Sequence, residues 1–269
     1  MSGEAAIAIN GLIKDFEIGR RGFRVRAIDH LSLRIESGQV FGLLGANGSG
    51  KSTLIRIVLD LMQATAGECR LFGQDSRRCE ARRWVGYVPD EPCFPRRLTG
   101  RELLRFHGAL GGLGRGMRER HVAGLLARVG LTGAADLRLE AYSRGMLQRI
   151  GLAQSLVHEP RLVILDEPWA GLDAAGVEML LALLAELKAE RKTVVVVAHG
   201  LDPIEALCDR LAVLDRGRLV LEGAPRTLAA SASGRWPRGD TMACRRAGQA
   251  GEAERWLEEE RFCRRENQR

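Results

Sequence analysis

Long hydrophobic runs are missing from this sequence. No apolar stretch in its 269 residues approaches the ~20 that a helix needs to cross a bilayer. The first residues, MSGEA, also lack the basic segment and the apolar core of a secretory signal peptide. These absences argue against a membrane-spanning or secreted protein, and we expect a cytosolic chain.

Patterned cysteine and histidine are also missing. The six cysteines include no C-x-x-C pair, and the five histidines show no spacing that is typical of metal ligands. A disulfide framework and a zinc site are therefore both poorly supported, and reduced thiols are expected. The formal net charge of +7 leaves nucleic acid, an anionic membrane surface and a nucleotide open as partners.

The most informative segment is GANGSGKST at residues 45–53. It matches the pattern G-x-x-x-x-G-K-[ST], with the apolar run 40–44 before it and a helical pattern after it. Glycines let successive backbone N–H groups point at one anion, and the helix start adds its positive dipole end. The alternative is an ordinary glycine-rich turn, but the flanking pattern favours a phosphate-binding loop. The predicted nucleotide-binding residues are Gly45, Ala46, Asn47, Gly48, Ser49, Gly50, Lys51, Ser52 and Thr53.

Four side chains carry the chemistry expected of such a loop. Lys51 supplies a mobile positive charge for the β- and γ-phosphates, and the Ser52 hydroxyl is placed to ligate Mg²⁺. Asp166 ends the apolar run 162–165, where its carboxylate would hold the same Mg²⁺. The adjacent Glu167 can accept a proton from an attacking water. The alternative is that both acids are ordinary surface residues at a strand end.

Apolar periodicity predicts the fold class. Residues 7–40 alternate apolar and polar positions, which indicates an antiparallel β region before the loop. Strand–helix–strand alternation over 161–198, with fully apolar strands, indicates a parallel sheet covered on both faces. Helical periodicity occupies roughly residues 99–140. We therefore predict an α/β fold, in which a P-loop NTPase core carries an N-terminal antiparallel β arm and an inserted helical subdomain at about 95–155.

The end of the sequence has a different composition. After about residue 231 the apolar periodicity fades, and Arg and Glu dominate. We predict one ATPase domain over residues 1–230 and a flexible, charged tail over 231–269.

Further motifs accompany the loop. Segment 141–149, AYSRGMLQR, is similar to an LSGGQ signature followed by QR, and AGLD at 170–173 is similar to a D-loop. His199 closes an apolar strand where a switch histidine stands, and GYVP at 86–89 is similar to the lead into a Q-loop. Phe16 occupies the place of an aromatic residue that stacks on adenine. Over about residues 7–225 the sequence thus resembles the ATP-binding cassette (ABC) ATPases.

The resemblance implies a mechanism with two copies facing head to tail around two ATP molecules with Mg²⁺. Lys51, Glu167 and His199 would form the catalytic group around each ATP, with Glu167 as the base. Asp173 would lie at the seam between the copies. The residues implied to contact the nucleotide of the other copy are Ser143, Arg144, Gly145 and Met146.

Two assignments follow the family pattern less closely: Asp90 replaces the family residue, and Phe16 is a lone aromatic residue. Asp90 stands where the family has the Q-loop glutamine, and we expect it to join Ser52 and Asp166 as a Mg²⁺ ligand. The alternative is that Asp90 only caps the turn at 89–92. Phe16 is expected to stack on adenine, with an ordinary core phenylalanine as the alternative.

The motifs YSRGM and PDEP resemble those of exporter-type cassettes. The resemblance therefore implies an ATPase subunit that powers transport, in the direction of export, through separate membrane-spanning subunits. Such a chain would be cytoplasmic and peripheral on the inner face of the membrane, in a homodimer or a heterodimer, with no specific nucleic acid. The alternative is a soluble ABC ATPase acting on nucleic acid or ribosomes. A P-loop enzyme outside this family would leave segment 143–149 unexplained.

Overall fold

The computed structural model describes residues 4–18, 23–200 and 205–225. The predicted tail at 231–269 and the end of the predicted 1–230 domain lie outside these residues. Across the described ranges, no helix is long and apolar enough to cross a membrane. The strands of these ranges form two sheets that share one hydrophobic core.

The first sheet is antiparallel and contains the N-terminal β arm. Its strands, in spatial order, are β2 (Phe23–Glu36), β1 (Ala5–Ile18), β4 (Ala66–Leu71) and β5 (Gln74–Asp75). Leu31, Leu33 and Ile35 of β2 are buried while the residues between them are exposed, which is the alternation of a strand with one face on the core. This sheet corresponds to the antiparallel β region expected from the sequence.

The second sheet carries the strands that were predicted to be parallel. Its strands, in spatial order, are β10 (Arg218–Gly223), β9 (Arg210–Asp215), β3 (Val40–Leu44), β8 (Thr193–Ala198), β7 (Leu162–Asp166) and β6 (Val85–Val88). Strands β9, β3, β8, β7 and β6 run parallel, and β10 closes one edge as an antiparallel hairpin with β9. Every residue of β3, β7 and β8 is buried, as expected for parallel strands covered on both faces.

The strand order brings distant parts of the sequence to one edge of this sheet. Strand β8 lies between β3 and β7, so Leu44 pairs with Ala198 and Asp166 pairs with Val197. Two helices, α1 (Lys51–Val58) and α6 (Ala174–Ala189), begin close to the carboxyl ends of β3 and β7. The phosphate-loop motif, the two acids and His199 therefore meet where three parallel strands end.

The remaining helices lie between β5 and β7 in the chain. They are α2 (Cys79–Arg82), α3 (Gly100–Leu110), α4 (Arg115–Arg128) and α5 (Arg144–Leu156), with single turns of 3₁₀ helix at Thr132–Ala134 and Leu139–Ala141. Helices α3, α4 and α5 pack against one another, and α5 also packs on β6. A capping box between Thr99 and Glu102 starts α3, and the glycine-rich segment 111–114 separates α3 from α4.

Candidate nucleotide-binding site

The phosphate loop has the backbone conformation that its glycines permit. Gly48 and Gly50 have φ angles of +77° and +105°, which favour glycine. A Cβ on Gly50 would lie only 2.7 Å from the carbonyl oxygen of Ala27 in β2, so the loop packs closely against the β arm. The N–H of Gly217, in the β9–β10 turn, donates to the Ser49 carbonyl at 2.9 Å. The loop is thus held from both sheets.

Lys51 is folded back into its own loop. Its Nζ donates to the carbonyl oxygens of Gly45 at 2.6 Å and of Ala46 at 3.1 Å, and the residue is 6% exposed. Burial lowers the pKa of Lys51, and the charges of Glu167 and Asp166 oppose that shift. The ammonium group is therefore a buried cation close to two acidic side chains.

Oxygen donors suited to Mg²⁺ meet beside Lys51. The Ser52 hydroxyl hydrogen-bonds to the Asp166 carboxylate, and Asp90 lines the same cleft. Burial raises the pKa of Asp166, and the nearby charge of Asp90 raises it further. A hydroxyl and two carboxylates with excess negative charge fit a hard cation. Among the described residues, no group of three or more His, Cys, Asp or Glu side chains could hold a metal ion.

Glu167 occupies a restrained and partly desolvated position. It has a φ of +45°, which is uncommon for a residue with a side chain, and its N–H donates to the Val197 carbonyl at 3.0 Å. Burial raises the pKa of Glu167 to about 7, although the Lys51 charge opposes the shift. His199 Nε2 lies 3.1 Å from Glu167 Oε1. A carboxylate tuned in this way is suited to exchange a proton near neutral pH.

These groups line one cleft. The lining residues are Ala27, Asn47, Gly48, Ser49, Gly50, Lys51, Ser52, Thr53, Asp90, Asp166, Glu167 and His199. Gly45 and Ala46 contribute the carbonyls that hold Lys51. In the part of the chain that the structure describes, Phe16 does not line the cleft. Phe16 pairs with Val25 across the β1–β2 ladder, and Lys14 Nζ lies 5.0 Å from its ring centroid.

The residues of the signature segment form a second cluster, at the start of α5. Ser143 is the N-cap, and its Oγ accepts a hydrogen bond from the Met146 N–H at 3.2 Å. Gly145 approaches Gly171 so closely that a Cβ on Gly145 would lie 3.0 Å from the Gly171 carbonyl oxygen. Arg144 covers the same glycine. None of Ser143, Arg144, Gly145 or Met146 is among the described residues that line the cleft.

The D-loop aspartate joins the second cluster from α6. Asp173 is the N-cap of this helix and accepts a hydrogen bond from the Gly176 N–H at 2.8 Å. Arg149 of α5 donates to the same Asp173 oxygen at 2.8 Å. The buried Gln148 donates to the Pro168 carbonyl at 3.2 Å. Helix α5 is thereby fastened to the chain that leaves β7.

The sequence also matches known proteins. A family model described as "ABC transporter" matches residues 28–170. The chain belongs to the ABC transporter family. An ABC transporter ATP-binding protein of Synechocystis is 38% identical over 77% of this chain, and a Nod factor export ATP-binding protein I of Mesorhizobium japonicum is 36% identical over 75%. The match covers 60% of each relative.

A solved structure extends the likeness to this ABC protein's fold. The dimeric structure of a bacterial ABC transporter cassette is 25% identical, with a TM-score of 0.75 over 82% of this chain and 99% of that one. The predicted fold class, a P-loop α/β core with a β arm and a helical insertion, is confirmed. The chain spans 60 to 64% of the length of the curated relatives it matches first.

For three residues of this cassette the sequence predicted no functional role. Ala27 lines the cleft through its place in the β arm, and no motif marks it. Gln148 and Arg149 were noted only as matches to the signature segment, whereas the structure gives them contacts that fasten α5. Asp173 accepts hydrogen bonds both from Arg149 and from the first turn of α6. The opposite charges of Arg149 in the signature segment and Asp173 in the D-loop could have indicated this contact from the sequence.

Proposed function

We propose that this chain is an ATP-hydrolysing, nucleotide-binding subunit that dimerises on ATP and powers transport, in the direction of export. The observation that carries the proposal is the separation of the predicted site into two clusters. The cleft contains Lys51, Asp166 and Glu167, whereas Ser143 and Gly145 lie outside it. One copy therefore has every group needed to hold a nucleotide but presents its signature segment elsewhere.

In the proposed binding mode, the amides of residues 48–52 and Lys51 bind the nucleotide phosphates. Lys51 exchanges its two neutral carbonyl partners for charged phosphate oxygens, which adds the attraction between opposite charges. Ser52, Asp166 and Asp90 would hold Mg²⁺, which supplies charge neutralisation on the phosphate oxygens when bound. Phe16 stays a proposed contact for adenine.

Hydrolysis would depend on Glu167 and His199. Glu167 accepts a proton from a water in line with the terminal phosphate, and its half-buried position keeps competing solvent away. His199 Nε2 lies 3.1 Å from Glu167 Oε1, and His199 would contact the same terminal phosphate. Catalysis is then positioning together with electrostatic stabilisation around a water.

The proposed dimer completes each cleft with the signature segment of the other copy. Ser143, Arg144, Gly145 and Met146 would face the terminal phosphate, with the N-terminus of α5 directed at it. Asp173 would lie at the seam. The ABC cassette structure with a TM-score of 0.75 is a dimer, which supports this arrangement. The two cassettes could be identical or different.

We infer that separate membrane-spanning subunits are the partners and that the chain is peripheral on the cytoplasmic face of the membrane. The relatives named as an ABC transporter ATP-binding protein and as a Nod factor export ATP-binding protein I support transport as the class of activity. The alternative, an ABC ATPase that acts on nucleic acid or ribosomes, is not favoured by these names.

The proposal is tested with the purified chain. Phosphate release with MgATP and size-exclusion chromatography with and without MgATP are measured for the wild type and for Lys51→Ala. We expect release that depends on Lys51 and a larger species with MgATP. Release equal to that of Lys51→Ala would contradict the proposal. A gel shift with DNA and RNA that strengthens with ATP would favour the nucleic-acid alternative.

A further inference from the structure

A network of ion pairs joins the β arm to the β9–β10 hairpin. Its centre is Asp29 of β2, whose side chain is 12% exposed. Its carboxylate accepts from Arg218 Nε of β10 at 2.6 Å and from Arg26 Nη1 of β2 at 3.2 Å. His30 Nδ1 lies 2.9 Å from Asp29 Oδ1. The hydrogen bonds from His30 and Arg218 lower the pKa of Asp29 to about 2, so this carboxylate is charged at neutral pH.

The backbone at Asp29 is also fixed to the phosphate loop. The Asp29 N–H donates to the Gly217 carbonyl at 2.9 Å, and the Gly217 N–H donates to the Ser49 carbonyl at 2.9 Å. A Cβ on Gly217 would lie 2.5 Å from the carbonyl oxygen of Ala27, so no side chain fits between the hairpin turn and the arm. Arm, turn and loop therefore meet at one place, and Asp29 contacts the turn through both its backbone and its side chain.

Arg26 extends the network from β2 to β1. Its Nε donates to Asp15 Oδ1 at 2.8 Å and its Nη2 donates to Asp15 Oδ2 at 3.2 Å, which is a bidentate pair. Asp15 directly precedes Phe16, the proposed contact for adenine, and Phe16 pairs with Val25 in the β1–β2 ladder. The network thus runs from the residue beside Phe16 to the turn that holds the phosphate loop.

A second ion pair of the arm shows what is particular to Asp29. Arg24 and Glu17 also pair across β2 and β1, at 3.2 Å, but their side chains are 70% and 67% exposed. An exposed pair of this kind contributes little to stability, because water competes for both charges. The Asp29 carboxylate is mostly buried and connects two sheets, so its loss should have a larger effect on the position of the arm.

The network acts on the cleft only indirectly. Its four members do not line the described cleft; they are Asp15, Arg26, Asp29 and Arg218. Ala27 does line the cleft, and it lies between two members of the network in the sequence. Any effect of the network on a nucleotide therefore passes through the residues that it holds in place.

We propose that Asp29 is a positioning residue that holds the β arm in place for the base end of the nucleotide, with the phosphate loop as its anchor. The inference rests on the proposed function, whose Phe16 contact it extends. The loop is formed by the chain between β3 and α1, so the arm is not needed to build it. Loss of the Asp29 charge should therefore weaken binding of a whole nucleotide more than binding of a bare triphosphate, because the arm is no longer preorganised.

The first experiment compares Asp29→Asn with the matched control Asp60→Asn. Asp60 is also a mostly buried carboxylate, is paired with Arg82 at 2.9 Å, and lies outside the described cleft lining. Calorimetry without Mg²⁺ measures the affinity for ATP and for inorganic triphosphate, and a phosphate-release assay measures kcat and KM for MgATP. We expect Asp29→Asn to raise the dissociation constant and KM for ATP by roughly tenfold. Its kcat and its affinity for triphosphate should stay within about twofold of the wild type, as should all values for Asp60→Asn.

Two results would overturn the inference. One is an ATP affinity of Asp29→Asn within about twofold of that of Asp60→Asn. The other is an equal loss of ATP and triphosphate binding, which would show damage to the loop or to the fold. Arg218→Gln changes only an exposed partner of Asp29, so it keeps the test usable if Asp29→Asn folds poorly. It should show the same selective loss of ATP affinity, smaller in size, and an unchanged ATP affinity would count against the network.

The route through the arm is tested with Phe16→Ala, alone and combined with Asp29→Asn. If Asp29 acts by placing Phe16, its replacement should change the ATP dissociation constant of Phe16→Ala by less than about twofold. A further loss of roughly tenfold in the double variant would contradict positioning through Phe16.

Failure of this inference is distinguishable from failure of the proposed function. Phosphate release by the wild type that equals release by Lys51→Ala would contradict the proposed function itself. Release that depends on Lys51, together with a normal ATP affinity of Asp29→Asn, would leave that function intact and remove only the role of Asp29.

Discussion

The cleft and the signature cluster are built in opposite ways. In the cleft, Lys51 and Asp166 are buried charges, and burial shifts the pKa of each toward its neutral form. In the signature cluster, Ser143 and Asp173 are exposed caps with their hydrogen bonds already made. The cleft is thus electrostatically incomplete without a ligand, whereas the signature cluster is complete as a local structure.

This contrast has an energetic meaning. The Gly176 N–H and Arg149 hold the pKa of Asp173 below its usual range, so this carboxylate is stabilised by the protein alone. Burial instead raises the pKa of Asp166 and of Glu167, so a nearby cation stabilises their charged forms. We therefore expect variants of Lys51 and of the metal-binding acids Asp90 and Asp166 to change nucleotide or metal binding, and signature variants to change turnover after binding.

The largest effect is expected from Glu167→Gln, which preserves shape but removes the base. Hydrolysis should fall by about two to four orders of magnitude, while the nucleotide still binds. The ATP-bound dimer should accumulate, and size-exclusion chromatography with MgATP would detect it. A variant that stays monomeric at saturating ATP with unchanged turnover would refute the role of Glu167 as base.

Lys51→Ala and Ser143→Ala test the contrast itself. Lys51→Ala should weaken nucleotide binding to the monomer by about 2 kcal/mol, or roughly thirtyfold, because a charged donor to the phosphates is lost. Ser143→Ala should leave that affinity unchanged and lower turnover by roughly a hundredfold. A fluorescent-nucleotide titration and a phosphate-release assay measure the two quantities.

Loss of Ser143 also removes a helix cap, so a control is needed. Thr99→Ala removes the cap of α3 in the same way, at a similar cost of about 1 kcal/mol, outside both clusters. If Thr99→Ala lowered turnover as much as Ser143→Ala, capping rather than phosphate contact would explain the effect. Equal loss of binding in the Lys51 and Ser143 variants would remove the contrast.

A smaller effect is expected at Asp90, on the metal side of the cleft. Asp90→Asn replaces a charged oxygen ligand by a neutral one and should raise the half-maximal Mg²⁺ concentration for hydrolysis by roughly tenfold. Asp90→Gln, with a longer amide that still reaches the metal, should be milder. If the wild type and both variants gave the same Mg²⁺ titration curve, Asp90 would be a residue of the turn at 89–92 and not a metal ligand.

The smallest effect, on stability at low pH, is expected from two histidines near the C-terminal end of α5. Burial lowers the pKa of His107 and of His158, whose Nε2 lies 3.1 Å from the Val85 carbonyl oxygen. The unfolded chain then binds more protons than the folded one, so stability is full above about pH 6.5 and declines as pH falls below it. The two histidines should therefore lower the unfolding temperature between about pH 7.5 and about pH 5.5, whereas Glu167, whose pKa burial raises to about 7, should change it in the opposite sense.

A matched variant isolates the histidine contribution. His158→Gln keeps a donor for the Val85 carbonyl and removes the titration, so as pH is lowered over this range its unfolding temperature should fall less, or rise more, than that of the wild type. If wild type and variant showed the same pH slope, other groups would control the acid sensitivity.

Local motifs made the cleft predictable. Lys51 and Ser52 follow from a loop between a strand and a helix, and Asp166 and Glu167 follow from the end of an apolar strand. Each of these placements depends on residues that are close in the sequence. Parallel strands end at a common edge, so the meeting of the two motifs with His199 was also within reach.

Contacts between distant segments were not predictable in the same way. Ala27 reaches the loop because the β arm folds over it, and the stem of Arg144 meets Gly171 because α5 packs beside the chain that leaves β7. Neither contact follows from periodicity, since both depend on how whole elements pack. The pairing of β3 with β8 likewise joins residues more than a hundred positions apart.

The composite site is tested most directly by mixing two inactive variants before ATP is added. In a dimer of Glu167→Gln with Ser143→Ala, one site carries both defects and the other carries neither, if the signature segment acts on the cleft of the other copy. An equimolar mixture should then recover about a quarter of wild-type hydrolysis, because half of the dimers are mixed and each has one intact site. Hydrolysis no greater than the average of the two variants measured alone would contradict the composite site.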